Sequence, residues 1–170
     1  FDPAKAPKLD PVAWPEARQL KAKRKYAGGY VATTCQAMWN SYGLKPAAAL
    51  IANGMSLVAV QYVEQFKARM GITGTTLDDI VKFQVGLLTA FDEEPTVENL
   101  GPTRRAITRS TYKPFDPDVN EAFRDATFAF PHMCARIMNG RVRFTRRTEL
   151  DKGARTLEVW QLEDTGKWLY

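Results

Sequence analysis

The fold class follows from one stretch of sequence, NGRVRFTRRTELDKGARTLEVWQL at residues 139–162. It begins with Asn139-Gly140, the strongest local turn signal in the chain. Residues 141–150 and 155–162 then alternate apolar and polar side chains, as β-strands do, and residues 151–153 are typical of a tight turn. The stretch predicts a C-terminal β-hairpin. We expect its buried face to contain Val142, Phe144, Leu157 and Val159.

A further strand is predicted upstream of the hairpin. Residues 106–112 are rich in β-branched side chains and alternate in polarity, so they can pair beside the hairpin. Residues 99–103, which include Gly101-Pro102, are typical of a turn. Elsewhere the apolar residues recur every three to four positions, which indicates helices. The sequence therefore predicts an α+β fold, in which a mainly helical layer packs on a small antiparallel sheet with a C-terminal β-hairpin. The predicted helices cover residues 15–27, 30–42, 46–70, 76–91 and 118–139.

Glycine and proline set several of these boundaries. Gly28-Gly29 predicts a break between the first two helices. The basic residues 21–25 then lie near the end of the first helix, where positive charge suits the helix dipole. Thr76 followed by Asp79 resembles a capping box. Pro131 is expected to kink the last helix or to split it in two.

The N-terminal residues differ in composition from the rest. Residues 1–15 include Pro3, Pro7, Pro11 and Pro15, and proline fixes φ and lacks an amide donor. We therefore predict an extended arm over residues 1–14, followed by a single domain over residues 15–170. A total of 170 residues fits one domain. Such arms often pack on a neighbouring subunit, so we expect a homo-oligomer or a subunit of a complex.

Composition excludes several classes of function. The 24 basic and 19 acidic residues give a net charge of +5. Nucleic-acid binding is disfavoured, because on a strand Phe144 lies opposite Arg141 and Arg143 and does not form a stacking platform among them. A membrane span is not expected, because no apolar run reaches 18 residues. The two cysteines and one histidine are too few for a structural zinc site, and no cofactor motif is present. Two separate cysteines fit a reducing, cytoplasmic compartment.

The single histidine is the strongest candidate for catalysis. His132 follows Pro131 in an apolar segment, and its pKa is easily tuned there, so it is predicted to act as general acid or base. Glu64 or Asp125 is its predicted partner. Arg109 is predicted to hold a substrate anion. The other residues predicted to contact the substrate are Cys134, Tyr62 and Phe130. The alternative for His132 is a packed, structural histidine.

The last third of the chain resembles a known family. The segments that resemble it are residues 107–112, 138–140, 141–144, 150–153 and 157–159. Together they resemble the C-terminal half of the L-2-amino-thiazoline-4-carboxylic acid hydrolase-like family. The resemblance implies leading helices, a strand, a helix and a hairpin, and a hydrolase that acts on a C–N bond. Family members often have cysteines on the first and last of these strands, where this chain has Ser110, Leu157 and Val159.

Two functions from different classes follow from these observations. The first is a hydrolase or lyase that acts by general acid–base chemistry on a small carboxylate-bearing or aromatic molecule. Its pocket is expected between the helices predicted over residues 46–70, 76–91 and 118–139. The alternative is a non-catalytic subunit or small-ligand-binding module of a larger complex.

Overall fold

Within the described residues, four helices precede or flank a four-stranded antiparallel sheet. The computed structural model describes residues 15–91, 93–110, 121–150 and 156–169. The sheet has the strand order β1-β2-β4-β3, and every neighbouring pair is antiparallel. The predicted α+β class and the C-terminal hairpin are confirmed. The predicted arm at residues 1–14 lies outside the described residues. The elements are α1 Glu16–Tyr42, α2 Leu44–Arg69, α3 Leu77–Ala90, β1 Thr96–Gly101, β2 Arg104–Ser110, α4 Glu121–Met138, β3 Val142–Leu150 and β4 Thr156–Asp164.

Helix α1 is longer than predicted. It passes through Gly28-Gly29 without interruption, so the predicted break there is wrong. Each glycine costs a helix only about 1 kcal/mol relative to alanine, and burial of Cys35 against α2 and α4 holds the second half in place. The chain turns instead at Gly43, where φ is +80°. The basic residues 21–25 consequently lie near the start of α1, and the helix dipole does not account for them.

The start of α3 matches its prediction. Thr76 Oγ1 accepts a hydrogen bond from the amide of Asp79 at 3.2 Å, and the Asp79 carboxylate accepts one from the amide of Thr76 at 3.0 Å. This is a capping box with aspartate in place of glutamate. The hydrogen bonds from the side chain and backbone of Thr76 lower the pKa of Asp79.

Helix α2 is the one described helix with the length and apolarity of a membrane span. Its most apolar 18-residue window has a mean hydropathy of 1.4, and 22% of that window is buried. Core helices of soluble proteins meet the same two criteria. The inner side of α2 packs on α4, with Ala59 and Val63 buried. The length and composition of α2 therefore do not by themselves assign the chain to a membrane.

Helix α4 contains Pro131 and runs on through it. The predicted split is therefore not found. Proline removes one intrahelical hydrogen bond, but both halves of the helix are anchored by buried side chains, Phe123 before the proline and Cys134 and Met138 after it. Gln84, which is fully buried on α3, donates from Nε2 to the Pro131 carbonyl at 3.0 Å.

The register of the hairpin corrects its predicted face. Phe144 pairs with Leu162, and Arg146 pairs with Trp160. Because paired residues point to the same side of a sheet, Val142 and Phe144 share the helix-facing side with Leu162 and Trp160. The residues Leu157 and Val159 lie on the opposite side, so that part of the prediction is wrong. Glu158 lies on the helix-facing side instead.

Strand β1 occupies part of the segment that was predicted as a turn. All but one of its residues are exposed, and Gly101 is half-buried. β1 is an outer strand, and its side chains from Thr96 to Leu100 are exposed on both faces, so no buried apolar residue recurs at alternate positions for a sequence pattern to detect.

Two groups of buried side chains form the core. One lies between α3, α4 and the sheet, and its largest fully buried side chains are Phe83, Ile80 and Ile107. The other lies where α1, α2 and α4 meet, around Cys35, Ile51 and Phe123. Some side chains that pack against one group or the other also border a cavity.

Candidate functional site

A cavity of about 340 Å³ lies where all four helices meet the sheet. The lining includes Ala27 and Val31 of α1, Met55 and Val58 of α2, the C-terminal part of α3, the middle of α4, and residues of β2 and β4. Val58 is 40% exposed and Phe91 is 45% exposed, so the opening lies beside these two residues. The remaining apolar lining consists of Phe66, Leu87, Leu88, Phe128, Phe130, Pro131 and Trp160.

Four residues bring polar groups to this lining: Arg109, Arg124, Thr127 and Glu158. The sheet positions two of them, since Arg109 on β2 pairs directly with Glu158 on β4. Both side chains then point to the helix-facing side of the sheet. The charged groups of the site are thus placed by strand register, and the apolar walls are placed mainly by the helices.

Arg109 forms a buried ion pair. Its Nη2 lies 2.7 Å from Oε1 of Glu93, and each side chain is 6% exposed. The guanidinium also lies over the ring of Trp160, with Cζ 5.3 Å from the ring centroid. This geometry combines a charge-assisted hydrogen bond with a cation–π contact. Arg109 is therefore held rigidly at the cavity wall.

Glu158 is the carboxylate in the described lining of the cavity. The indole Nε1 of Trp160 donates a hydrogen bond to its Oε1. Arg146 Nη1 lies 3.6 Å from its Oε2. The residue as a whole is 6% exposed. Glu158 is thus a buried carboxylate with one hydrogen-bond donor and one cationic neighbour.

Arg146 links Glu158 to helix α4. Its Nη2 binds Asp125 Oδ1 at 2.8 Å and also contacts Glu121. Burial on its own lowers the pKa of Arg146, but the hydrogen bonds with Asp125 and Glu121 and the charge of Glu158 raise it above the ordinary arginine value. Glu121 also lies 3.6 Å from Arg124 Nη1. These contacts define a charged cluster, which consists of Glu93, Arg109, Glu121, Arg124, Asp125, Arg146 and Glu158.

Three of the residues predicted from sequence belong to this site. Arg109 and Phe130 line the cavity. Asp125 is exposed to solvent and lies in the charged cluster, bound to Arg146. Tyr62 is half-buried and contacts the lining indirectly, since its ring centroid is 6.2 Å from that of Phe66.

The structure gives His132, Glu64 and Asp125 separate surroundings. His132 is half-buried beside Phe128 and Phe144, with ring centroids 6.0 Å and 6.5 Å away. Burial, and secondly the charge of Arg136, lowers its pKa. Glu64 is 71% exposed and pairs with Lys67 at 3.2 Å.

No contact within the described residues joins His132 to either carboxylate, and His132 is not among the residues that line the cavity. Asp125 precedes it by seven residues on α4, which is about 10 Å along the helix axis. The predicted pairing of His132 with Glu64 or Asp125 is therefore not formed here.

Both cysteines are buried thiols. Cys134 is fully buried in the core beside the sheet, and burial raises its pKa to about 12. Burial also raises the pKa of Cys35. Because the thiolate is the reactive form, these surroundings keep both side chains unreactive at neutral pH. Cys134 does not line the cavity.

The sequence reasoning missed Glu158, Trp160, Glu93 and Arg146. A signal for two of them is present in the alternation of β4. Glu158, Trp160 and Leu162 occupy every second position, and a tryptophan in that series indicates the buried side. Glu93 and Arg146 are recognised only once the sheet brings distant residues together.

Metal-ligating side chains do not gather at this site. Among the residues that the structure describes, no group of three or more histidine, cysteine, aspartate and glutamate side chains is arranged to hold a metal ion. The carboxylates of the charged cluster face arginine side chains instead.

Comparisons with known proteins leave the geometry as the basis for a function. No protein-family model matches the chain, and no relative is found among curated proteins.

Proposed function

We propose that the protein binds a small, largely apolar organic molecule in the cavity between α1, α2, α4 and the sheet. The observation that supports this proposal is a cavity with aromatic and aliphatic walls and buried charged side chains at one place on its surface. Its volume of about 340 Å³ is within the range of small-molecule sites. Apolar walls provide affinity, and a few fixed polar groups orient the ligand.

The same site supports a narrower hypothesis, that the protein is a hydrolase or lyase that works by general acid–base chemistry. A carboxylate beside a guanidinium is adequate for this work: the carboxylate accepts a proton from water or substrate, and the guanidinium stabilises developing negative charge. Glu158 and Arg109 are the residues of the lining that suit these roles. His132 remains a candidate only if the substrate reaches beyond the described lining.

Ligand binding is tested with a variant that fills the cavity. N-phenyl-1-naphthylamine is a neutral, apolar dye whose fluorescence rises in an apolar environment, and it should titrate the wild-type protein saturably with a 1:1 stoichiometry. Met55→Trp adds a ring at the lining and should weaken binding by at least about tenfold, as loss of a well-packed contact does.

Leu57→Trp is the matched control, because Leu57 lies on the same helix and is 68% exposed. It should bind the dye like the wild type. Absence of saturable binding to the wild type, or equal binding by both variants, would refute the cavity proposal.

The exposed side of α2 favours a second proposal, that the chain assembles with another copy of itself. Leu50, Leu57 and Val60 lie on that side and are more than half exposed. Apolar patches of this kind often mark interfaces between proteins. The helix has no charged residue between Lys45 and Glu64. Two copies packed antiparallel through α2 bring these opposite charges together at both ends of an isologous interface.

The native mass of the protein tests this second candidate. A dimer is expected for the wild type, and a monomer is expected for Leu57→Glu. Thr33→Glu places the same charge on an exposed position of α1 and should leave the dimer intact. A monomeric wild type, or a dimer that survives Leu57→Glu, contradicts pairing through α2.

A further inference from the structure

We infer that the polar group of the ligand is a hydrogen-bond donor, an ammonium or a hydroxyl group, that binds the carboxylate of Glu158. This inference rests on the proposed cavity and specifies what it holds. The competing possibility is a ligand carboxylate bound by Arg109.

The arginines of the lining already have carboxylate partners. Glu93 lies 2.7 Å from Arg109, and Glu121 lies 3.6 Å from Arg124, and neither of these carboxylates is part of the cavity lining. A ligand carboxylate at Arg109 would face the charge of Glu93, and both side chains of that ion pair are only 6% exposed. Repulsion between like charges is strong at low dielectric constant. Arg109 and Arg124 are therefore better suited to positioning the site than to binding an anionic ligand group.

Glu158 has acceptor capacity that the protein does not use. A carboxylate accepts up to about four hydrogen bonds. Trp160 donates one to Oε1, and the nearest nitrogen of Arg146 is 3.6 Å from Oε2, beyond the range of a hydrogen bond. No described residue donates a hydrogen bond to Oε2. Because Glu158 belongs to the lining, a donor on the ligand can bind this oxygen.

A second acceptor belongs to the same lining. In a regular helix the carbonyl of Thr127 accepts from the amide of residue 131, but Pro131 has no amide hydrogen. The hydroxyl of Thr127 does not offer a donor in exchange, because it binds the carbonyl of Arg124 at 3.0 Å. The described contacts thus leave Oε2 of Glu158 and the carbonyl of Thr127 as acceptors in this lining.

Glu158 can accept a hydrogen bond from a charged or a neutral donor, in addition to its ion-pair contact with Arg146 at 3.6 Å. A buried charge is stable when it is paired. An ammonium group on an aromatic or alicyclic ligand pairs with Glu158, while a hydroxyl group satisfies its acceptor without a charge. The ligand class is therefore an apolar amine, or an alcohol of the same shape.

Three ligands with the same body and different polar groups test the inference: 2-phenylethylamine, 2-phenylethanol and 3-phenylpropanoate. Titration calorimetry of the wild-type protein at 150 mM salt should give the tightest binding for the amine. A charge-assisted hydrogen bond predicts that the amine binds at least about tenfold more tightly than the carboxylate. The comparison needs no variant, so it does not depend on the folding of a mutant.

Glu158→Gln should weaken binding of the amine about tenfold or more and change binding of the alcohol by less than about threefold. Glu163→Gln makes the same change on the same strand at a partly exposed position, and it should leave all three affinities unchanged. A preference for the carboxylate that Arg109→Met abolishes would overturn the inference, as would an amine preference that survives Glu158→Gln.

The naphthylamine dye separates this inference from the cavity proposal. If the dye binds and the amine has no advantage among the three ligands, the cavity stands and the inference is wrong. If neither the dye nor any of the three ligands binds, the cavity proposal itself fails.

Discussion

The buried ion pair between Arg109 and Glu93 should dominate the stability of the site. The two charges are 2.7 Å apart, and each side chain is 6% exposed. Replacing either one by methionine removes this ion-pair partner from the other buried charge, at a cost of about 3–5 kcal/mol. For a chain of this length, 1 kcal/mol corresponds to about 2–4 °C in melting temperature, so each single variant should melt about 6–20 °C lower.

The double variant distinguishes a lost charge pair from lost packing. Arg109→Met with Glu93→Met removes both charges and retains apolar volume, so it should be close to the wild type in stability or above it. Urea unfolding of all four proteins, followed by circular dichroism, gives the coupling free energy between the two sites. Single variants that cost less than about 1 kcal/mol, or a double variant whose cost equals the sum of the two, would refute the reasoning.

Three further outcomes are expected. Phe144→Ala should lower the free energy of unfolding in urea by about 3–5 kcal/mol, because the residue is 3% exposed within an aromatic cluster. Arg143→Ala, on the solvent side of the same strand, should lower it by less than about 0.5 kcal/mol. Reversed magnitudes would contradict the observed register. Thr76→Ala removes a capping acceptor and should lower the free energy of unfolding by about 0.5–2 kcal/mol in the same assay, whereas Thr75→Ala should be nearly neutral. Equal effects of the two variants would count against the capping box. The pKa of His132 is lowered in the folded state, so the imidazole is protonated first in the unfolded chain as the pH falls below the ordinary value of 6.5. The free energy of unfolding should therefore decrease between pH 7 and 5, and it should decrease less in His132→Gln. Identical pH profiles of the two proteins would show that this histidine titrates alike in both states.

Local sequence signals predicted the elements that depend on local chemistry. The capping residue Thr76, the turn at Asn139-Gly140 and the apolar period of residues 46–70 each lie where the structure has the corresponding boundary or element. Gly28-Gly29 failed as a signal because tertiary packing holds α1 together. Pro131 did not split α4, since buried side chains on both sides of it retain the helix.

The site itself was less accessible from the sequence. Arg109 and Phe130 were predicted to contact a ligand, and both line the cavity. The partners of Arg109 lie 16 and 49 residues away along the chain, at Glu93 and Glu158. A hairpin register shifted by one residue exchanges the two faces of a strand, and this is why Leu157 and Val159 were predicted on the face of Phe144. Pairing between β2 and β4 has no local signature, so the charged cluster becomes visible only in three dimensions.

The arginine-rich strand β3 has a consequence for the protein at high concentration. It is an outer strand of the sheet, and an outer strand presents backbone groups that can pair with a strand of another molecule. Arg143 and Arg147 are both exposed along this strand. Both form ion pairs, Arg143 with Glu163 and Arg147 with Glu149, and charged side chains of this kind disfavour pairing of an edge with another strand. The opposite edge, β1, has an irregular register between Asn99 and Gly101, which interrupts the regular spacing that a joining strand requires. The open sheet is thereby protected from growing into an aggregate at either side.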